Sequence, residues 1–135
     1  HLCDSNLRFA SSLKRPMYSP QLIDHFQHPR NAGIMESPDV SVQAENPACG
    51  DVMKLMLRVR DGRIVDAKYQ VRGCVASIAA GSALTEAIAG KSVVEAAALR
   101  RAEIVEALGG LPSESMHASH LAMASLKLAL TELKR

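Results

Sequence analysis

The stretch at residues 51–72, DVMKLMLRVRDGRIVDAKYQVR, decides the fold. In each half, apolar and polar residues alternate, which is the pattern of a strand with one buried face. Asp61-Gly62 separates the two halves and is a strong signal for a tight hairpin turn. The stretch therefore predicts two antiparallel strands. Their buried faces are expected to carry Met53, Leu55, Leu57 and Val59 in the first strand, and Val65, Ala67, Tyr69 and Val71 in the second.

The register of this hairpin has two solutions. A bare two-residue turn sets Leu57 opposite Asp66, which puts an acidic side chain on the buried face and conflicts with burial. A three-residue loop over residues 60–62, with Gly62 left-handed in a bulge, sets Leu57 opposite Val65 instead. We expect this second register, because it keeps apolar residues on one face.

Helix signals lie on both sides of the hairpin. Ser19 and Pro20 form an N-cap and a first-turn proline, and Pro29 ends the helix that they begin. Ser92 and Glu95 form a capping box, which predicts the start of another helix. These local signals depend only on neighbouring residues.

Two further helices and one strand complete the predicted order. The Ala-rich segment 74–90 predicts a helix, and so does the segment from about His117 to the end. In the final helix, apolar residues recur at steps of three and four and predict one buried stripe: Met123, Leu126, Leu130 and Leu133. Val40, Val42 and Ala44 alternate weakly as a first strand. This order predicts an α+β fold, with a three-stranded antiparallel sheet packed against several helices.

Length and composition indicate one globular domain. The chain has 135 residues, 47% of them hydrophobic, and a net charge of +2, so it can bury a single core. Two Phe, two Tyr and no Trp offer few platforms for base stacking, which argues against nucleic-acid binding. No apolar stretch approaches the roughly 20 residues that a membrane helix needs.

Residues 1–16, HLCDSNLRFASSLKRP, differ in composition from the rest of the chain. We expect a poorly ordered leader or extension there, followed by one domain over residues 17–135. The cysteines Cys3, Cys49 and Cys74 are too few, and odd in number, for a disulfide scaffold, which favours a reducing compartment. We therefore expect a cytoplasmic protein, or one of the mitochondrial matrix if the leader is a targeting peptide.

Cys49 and Cys74 are predicted to lie at the same end of the hairpin in either register. In the expected register Cys49 lies across from Gly73, and opposed residues on paired strands have Cβ atoms about 5 Å apart, close enough for two thiolates to share a metal. Cys74 also begins a helix, whose N-terminal partial positive charge favours the thiolate. Asp51 offers an oxygen ligand. The pattern predicts a metal corner, and two small buried hydrophobes that meet by chance are the alternative.

Five ordered motifs resemble the iron–sulfur cluster assembly scaffolds of the IscU/NifU N-terminal family. They are YSPQLIDHFQHPRNAG at 18–33, PACGDVMKL at 47–55, GC at 73–74, GKSVVEA at 90–96 and LPSESMHAS at 111–119. The match runs from about Tyr18 to Arg135, which is nearly the whole chain without the leader. The resemblance implies an α+β fold with a three-stranded antiparallel sheet and one exposed metal or cluster site.

The resemblance also implies the site residues and the cofactor. The family's ligands correspond to Cys49, Asp51, Cys74 and His117, which would hold a transient [2Fe–2S] cluster or Zn²⁺. Where the family has a third cysteine, which ligates the cluster and accepts persulfide sulfur from the desulfurase, this chain has Ala118. Alanine has no donor atom and can do neither.

Three other histidines are predicted to lie on the surface. His120 is one helical turn beyond His117 and on roughly the same face, so it is an alternative ligand, although a solvated surface histidine is the reading we favour. His25 and His28 are predicted as surface residues of the first helix.

The resemblance implies a cysteine desulfurase and cluster-accepting apoproteins as partners. The segment LPSES lacks the second proline and the lysine of the family's chaperone-recognition stretch, which argues against docking of a dedicated Hsp70-type chaperone. We favour a scaffold that binds iron, a [2Fe–2S] cluster or zinc and passes clusters to apoproteins, rather than a turnover enzyme. A zinc-binding relative without assembly activity is the second reading. The third reading is an enzyme with Cys74 as nucleophile and His117 as base. The sequence shows neither an oxyanion hole nor a substrate pocket for such an enzyme.

Overall fold

The structure is a computed structural model and describes residues 18–46 and 50–134. The predictions for residues 1–16, Cys3 among them, and for Cys49 lie outside the described residues. The elements in chain order are α1 (Pro20–Gln27), β1 (Val40–Asn46), β2 (Asp51–Arg60), β3 (Arg63–Arg72), α2 (Val75–Ile88), α3 (Val93–Ala97), α4 (Arg101–Ala107), a 3₁₀ turn (Ser113–Ser115) and α5 (His117–Leu133).

The three strands form one antiparallel sheet in the order β1-β2-β3. Helix α5 packs on β1 and β2, helix α2 packs on β3, and α1 packs on the outer side of α2. The predicted α+β fold is therefore confirmed. Among the described residues, no helix is both long enough and apolar enough to cross a membrane.

The expected register of the hairpin is wrong. The turn contains only Asp61 and Gly62, both with positive φ (55° and 74°), as a two-residue hairpin turn requires. A bulge on β3, rather than a longer loop, keeps the apolar residues of both strands on one face. Beyond the bulge, Leu57 pairs with Ala67. Val65 is the extra residue and is 47% exposed, whereas Ile64 takes the buried place that we expected for Val65.

Hydrogen bonds to the turn after α2 explain the position of this bulge. The amide of Ile64 donates to the carbonyl of Lys91 (2.8 Å), and the amide of Gly90 donates to the carbonyl of Ile64 (2.7 Å). These bonds hold Ile64 at the edge of the sheet next to α2, so its side chain is buried and the following residue points outward. The extra residue then restores the apolar face of β3.

The helix signals near the hairpin are confirmed. The Ser19 hydroxyl accepts a hydrogen bond from the amide of Leu22 (2.9 Å), and Ser92 and Glu95 form the reciprocal capping box. In α5 the buried face is wider than the predicted stripe. Leu126 and Leu130 are buried and Met123 and Leu133 are half-buried, and the face also includes Ala118, Leu121, Ala122, Ser125 and Ala129.

Helix α2 packs on β3 through a face that is rich in small residues. A Cβ atom added to Gly81 would lie 2.4 Å from two ring carbons of Tyr69. The Tyr69 ring is 1% exposed, and its hydroxyl donates to the carbonyl of Ile78 (2.8 Å). Burial raises the pKa of Tyr69 to about 12. The contact fixes the distance between α2 and the sheet, and with it the position of the helix N-terminus.

Candidate metal centre

Three elements meet at one end of the sheet, and each supplies one metal-ligating side chain. Asp51 is the first residue of β2, Cys74 is the N-cap of α2, and His117 is the first residue of α5. Gly73 lies beside Asp51, where an added Cβ would be 2.6 Å from the carboxyl carbon. The absence of a side chain at residue 73 therefore leaves room for the carboxylate to face Cys74.

The three donor atoms lie at nearly equal distances from one another. Asp51 Oδ2 is 3.4 Å from both Cys74 Sγ and His117 Nε2, and Cys74 Sγ is 3.6 Å from His117 Nε2. Zinc bonds of about 2.3 Å to sulfur and about 2.0–2.1 Å to nitrogen and oxygen place tetrahedral donors about 3.3–3.6 Å apart. The donors thus have the spacing of one face of a tetrahedral site, and the residues fit a single metal ion without rearrangement.

The site is buried on one side and open on the other. Asp51 and Cys74 are buried, whereas the His117 side chain is 22% exposed. An ion or a small cluster therefore reaches the donors from the side of the imidazole. Within the described residues, this is the one group of three or more His, Cys, Asp or Glu side chains with metal-binding geometry.

Ser77 is a member of the site that sequence reasoning missed. Its hydroxyl donates to Asp51 Oδ2 at 2.6 Å and lies 3.5 Å from Cys74 Sγ, and the residue is fully buried. The available signal was its position three residues after Cys74, which puts both residues on the same helix face. A serine in an Ala-rich helix is otherwise unremarkable in sequence.

The structure brings together the side chains of Asp51, Cys74 and His117, and Cys49 lies outside the described residues. His120 is exposed and is not part of the group, in agreement with a surface histidine. Ala118 is fully buried in the core cluster.

The two histidines of α1 differ. His28 is exposed as predicted, but the prediction for His25 is wrong, because it is 7% exposed and bonded through Nδ1 to Ser82 Oγ (2.7 Å). Its partner is 57 residues away in the chain. An α1 face that packs on α2 therefore carries a polar contact, which the apolar pattern of the helix does not reveal.

Comparison with known proteins identifies relatives over most of the chain. The model of the NifU-like N-terminal domain matches residues 17–135. The iron–sulfur cluster assembly scaffold protein IscU 1 of Archaeoglobus fulgidus is 45% identical over 119 residues, which are 88% of this chain and 78% of that protein. The iron–sulfur cluster assembly enzyme IscU of Drosophila melanogaster is 39% identical over an alignment of 137 positions, which covers 98% of this chain and 88% of that protein.

A solved structure shares the fold. It is described as an iron–sulfur cluster assembly scaffold protein for the SUF system from Fervidobacterium islandicum AW-1, and it superposes with a TM-score of 0.72 at 22% identity. The superposition covers 84% of this chain and 96% of that one. Since the family model spans nearly all of the described residues and the identity to the archaeal protein is high, the chain belongs to the NifU-like N-terminal domain family of scaffold proteins.

Proposed function

We propose that the protein is an iron–sulfur cluster assembly scaffold that receives a [2Fe–2S] cluster as cargo and passes it to apoproteins. The observation that carries this proposal is the preformed donor set. In a chain of this family, Asp51 Oδ2, Cys74 Sγ and His117 Nε2 are already separated by 3.4–3.6 Å. Such a site stores and releases a metal or cluster, and we propose no catalytic turnover by the chain itself.

We propose Cys49 as the fourth ligand. Its support is the resemblance of PACGD to the family motif and its position two residues before Asp51, which begins β2 at the site. Two thiolates with one imidazole suit an iron–sulfur cluster or zinc, whereas the carboxylate is the hard donor of the set. A site with one hard donor and an open side favours release over permanent storage.

The proposed partners are a cysteine desulfurase, which supplies sulfur, and apoproteins that accept the cluster. A dedicated Hsp70-type chaperone is not proposed, because the segment 111–115 differs from the family's recognition stretch. The site needs thiolates, so we also propose a reducing compartment, either the cytoplasm or the mitochondrial matrix.

Anaerobic reconstitution tests the proposal. Purified protein is incubated with ferrous iron and sulfide, and iron, acid-labile sulfide and the visible absorption are measured after gel filtration. We expect equal amounts of iron and sulfide and transfer of both to an apo-ferredoxin. Cys74→Ala should retain neither, whereas His120→Ala, in the same helix as His117 but exposed, should behave as the wild type. Protein that retains no iron and no sulfide would contradict the proposal.

A second candidate, a zinc-binding relative without assembly activity, is favoured by one residue. Ala118 offers no thiol to receive persulfide sulfur, while the four proposed ligands satisfy tetrahedral zinc without it. Ala118→Cys separates the two candidates. If the chain is a scaffold that is slow only in accepting sulfur, this change should accelerate desulfurase-driven assembly more than chemical reconstitution. If assembly by the desulfurase is absent in both forms, the zinc-binding reading is the better one.

A further inference from the structure

Asp51 Oδ2 has three polar neighbours at the site, and the Ser77 hydroxyl is the nearest of them. It accepts the Ser77 hydroxyl at 2.6 Å and lies 3.4 Å from Cys74 Sγ and 3.4 Å from His117 Nε2. A carboxylate oxygen has two lone pairs. With one lone pair accepting from Ser77, the other remains available to an ion beside the thiol and the imidazole.

The Ser77 hydroxyl does not make the bond that buried hydroxyls usually make in helices. The hydroxyls of Thr85, Ser119 and Ser125 donate to main-chain carbonyls of the preceding turn, at 3.0, 2.7 and 2.8 Å. Ser77 donates across to a different element, 26 residues away in the chain. Its hydroxyl therefore contributes to the orientation of a side chain rather than to the helix.

The hydroxyl of Ser77 has a single hydrogen, which it donates to Asp51 Oδ2. Ser77 Oγ also lies 3.5 Å from Cys74 Sγ, but a hydroxyl that donates to Asp51 can only accept from sulfur. The contact with Asp51, at 2.6 Å against 3.5 Å, is also the shorter of the two, so the carboxylate is the acceptor of this hydroxyl.

We propose that Ser77 is a positioning residue of the metal site, which acts by holding Asp51 Oδ2 in its ligating orientation between Cys74 and His117. This inference rests on the proposed function, because it concerns the same donor set. A hydrogen-bond partner of a ligating group sets the direction and the basicity of that ligand, and its loss typically costs about 10- to 100-fold in metal affinity. Without Ser77, the Asp51 carboxylate loses the hydrogen bond that fixes the orientation of Oδ2.

The test is a double-mutant cycle on metal affinity. Zinc affinity is measured by competition with a chromophoric chelator for the wild type, Ser77→Ala, Asp51→Ala and the double variant. We expect Ser77→Ala to weaken zinc binding by about 10- to 100-fold and to have no further effect once Asp51 is alanine. The affinity for Co²⁺ should likewise be lower for Ser77→Ala than for the wild type, and Ser77→Ala should have no further effect once Asp51 is alanine. The ligand-field bands of Co²⁺ bound to Ser77→Ala should be shifted from those of the wild type.

Ser82→Ala is the matched control. Ser82 lies in the same helix, is equally buried and bonds a histidine, but it lies outside the metal site. We expect its zinc affinity and Co²⁺ bands to equal those of the wild type. Circular dichroism checks that each variant is folded, and alanine is favoured inside a helix.

Two results would overturn the inference alone: equal zinc affinity of Ser77→Ala and the wild type, or an equal loss in the Asp51→Ala background. The second would mean that Ser77 acts on the fold and not through the carboxylate. Failure of the wild-type chain to bind zinc, cobalt or a cluster would overturn the proposed function as well, so the two failures are distinguishable.

Discussion

Helix α2 carries two buried serines, and each organises a polar cluster with a histidine, but only one cluster has the geometry of a metal site. The Ser77 cluster consists of Asp51, Cys74, Ser77 and His117, and the Ser82 cluster consists of His25, Arg30, Ser82 and Glu86. Ser82 Oγ accepts the main-chain amide of Arg30 (2.9 Å) and is also hydrogen-bonded to His25 Nδ1 (2.7 Å), with the direction of this second bond set by the histidine tautomer. Nδ1 of His25 is thereby occupied.

The difference between the clusters lies in what the histidine faces. His25 Nε2 points to Glu86 (3.7 Å), and its side chain is 9% exposed. His117 Nε2 faces a thiol and a carboxylate oxygen, both of them groups that can ligate a metal, and the side chain is 22% exposed. A buried histidine with an internal hydrogen-bond partner is structural, whereas a half-open histidine beside soft and anionic donors is available to an ion. The same helix therefore stabilises the core with one serine and orients a ligand with the other.

The largest effect on stability is expected at Gly81, because its contact with Tyr69 positions the helix that carries both the Ser77 cluster and the Ser82 cluster. Gly81 lies between the two serines, and Gly81→Ala would place its Cβ 2.4 Å from the ring of Tyr69. Because both the ring and the helix backbone are held in the core, we expect a loss of about 1–3 kcal/mol in the free energy of unfolding, or more. Urea denaturation measures this loss. In a Tyr69→Leu background the same change should cost much less, and an equal cost there would show that the ring is not the cause.

Replacement of each of the two histidines by alanine is the second test. His117→Ala removes a ligand, so zinc affinity should fall by about 10- to 100-fold or more, while the free energy of unfolding changes little because His117 is half-open. His25→Ala should do the reverse, since it removes a buried hydrogen bond far from the metal site. Chelator competition and urea denaturation on the same samples give both numbers. His120→Ala serves as the exposed control, and a greater loss of affinity for it than for His117→Ala would contradict the ligand assignment.

Gly73→Ala tests whether the open space beside Asp51 matters. The added Cβ would lie 2.6 Å from the Asp51 carboxyl carbon and within 2.9 Å of both oxygens, so the short side chain must turn away. We expect roughly a 10-fold loss of zinc affinity, as for other groups that orient a ligand. The loss should disappear in the Asp51→Ala background. If Gly73→Ala lowers affinity equally when Asp51 is alanine, the strain acts on Cys74 or the helix start instead.

The sequence was sufficient for what depends on neighbouring residues. The alternation in 51–72, the Asp61-Gly62 turn and the Ser92–Glu95 capping box predict elements that the structure contains, because each involves interactions over a few residues. The proposed ligands Asp51 and Cys74 follow from the hairpin and from the family motifs, whereas His117 follows from the motifs alone.

What the sequence missed depends on distant partners. The bulge at Val65 exists because Ile64 is bonded to the turn after α2, near residue 90, and no local pattern encodes that bond. The burial of His25 and the role of Ser77 likewise depend on partners 57 and 26 residues away. The sequence shows that Ser77 lies on the same helix face as Cys74. It does not reveal that Asp51 accepts the Ser77 hydroxyl, since the expected hairpin register is wrong.

The smallest expected effect is a pH dependence of stability that arises from His25 in the Ser82 cluster. Burial lowers the pKa of His25 below its ordinary value, and the positive charge of Arg30 lowers it further, against the opposite influence of Glu86 and Asp24. The folded state therefore holds His25 neutral at a pH where the unfolded state already binds a proton. Stability is unaffected well above the unfolded value of about 6.5 and falls as the pH drops below it.

His25→Asn isolates this contribution, because the amide group can accept from or donate to Ser82 but does not titrate. The difference in free energy of unfolding between the wild type and His25→Asn should be largest near pH 8 and should shrink toward pH 5, measured by urea denaturation at several pH values. His28→Asn is the control for the substitution itself, since His28 is in the same helix region but exposed, and the two variants are measured in parallel. A difference for His25→Asn that is constant with pH would mean that the buried ring accepts a proton as readily as in the unfolded chain. The contrast between the buried His25 and the more exposed His117 would then rest on metal affinity alone.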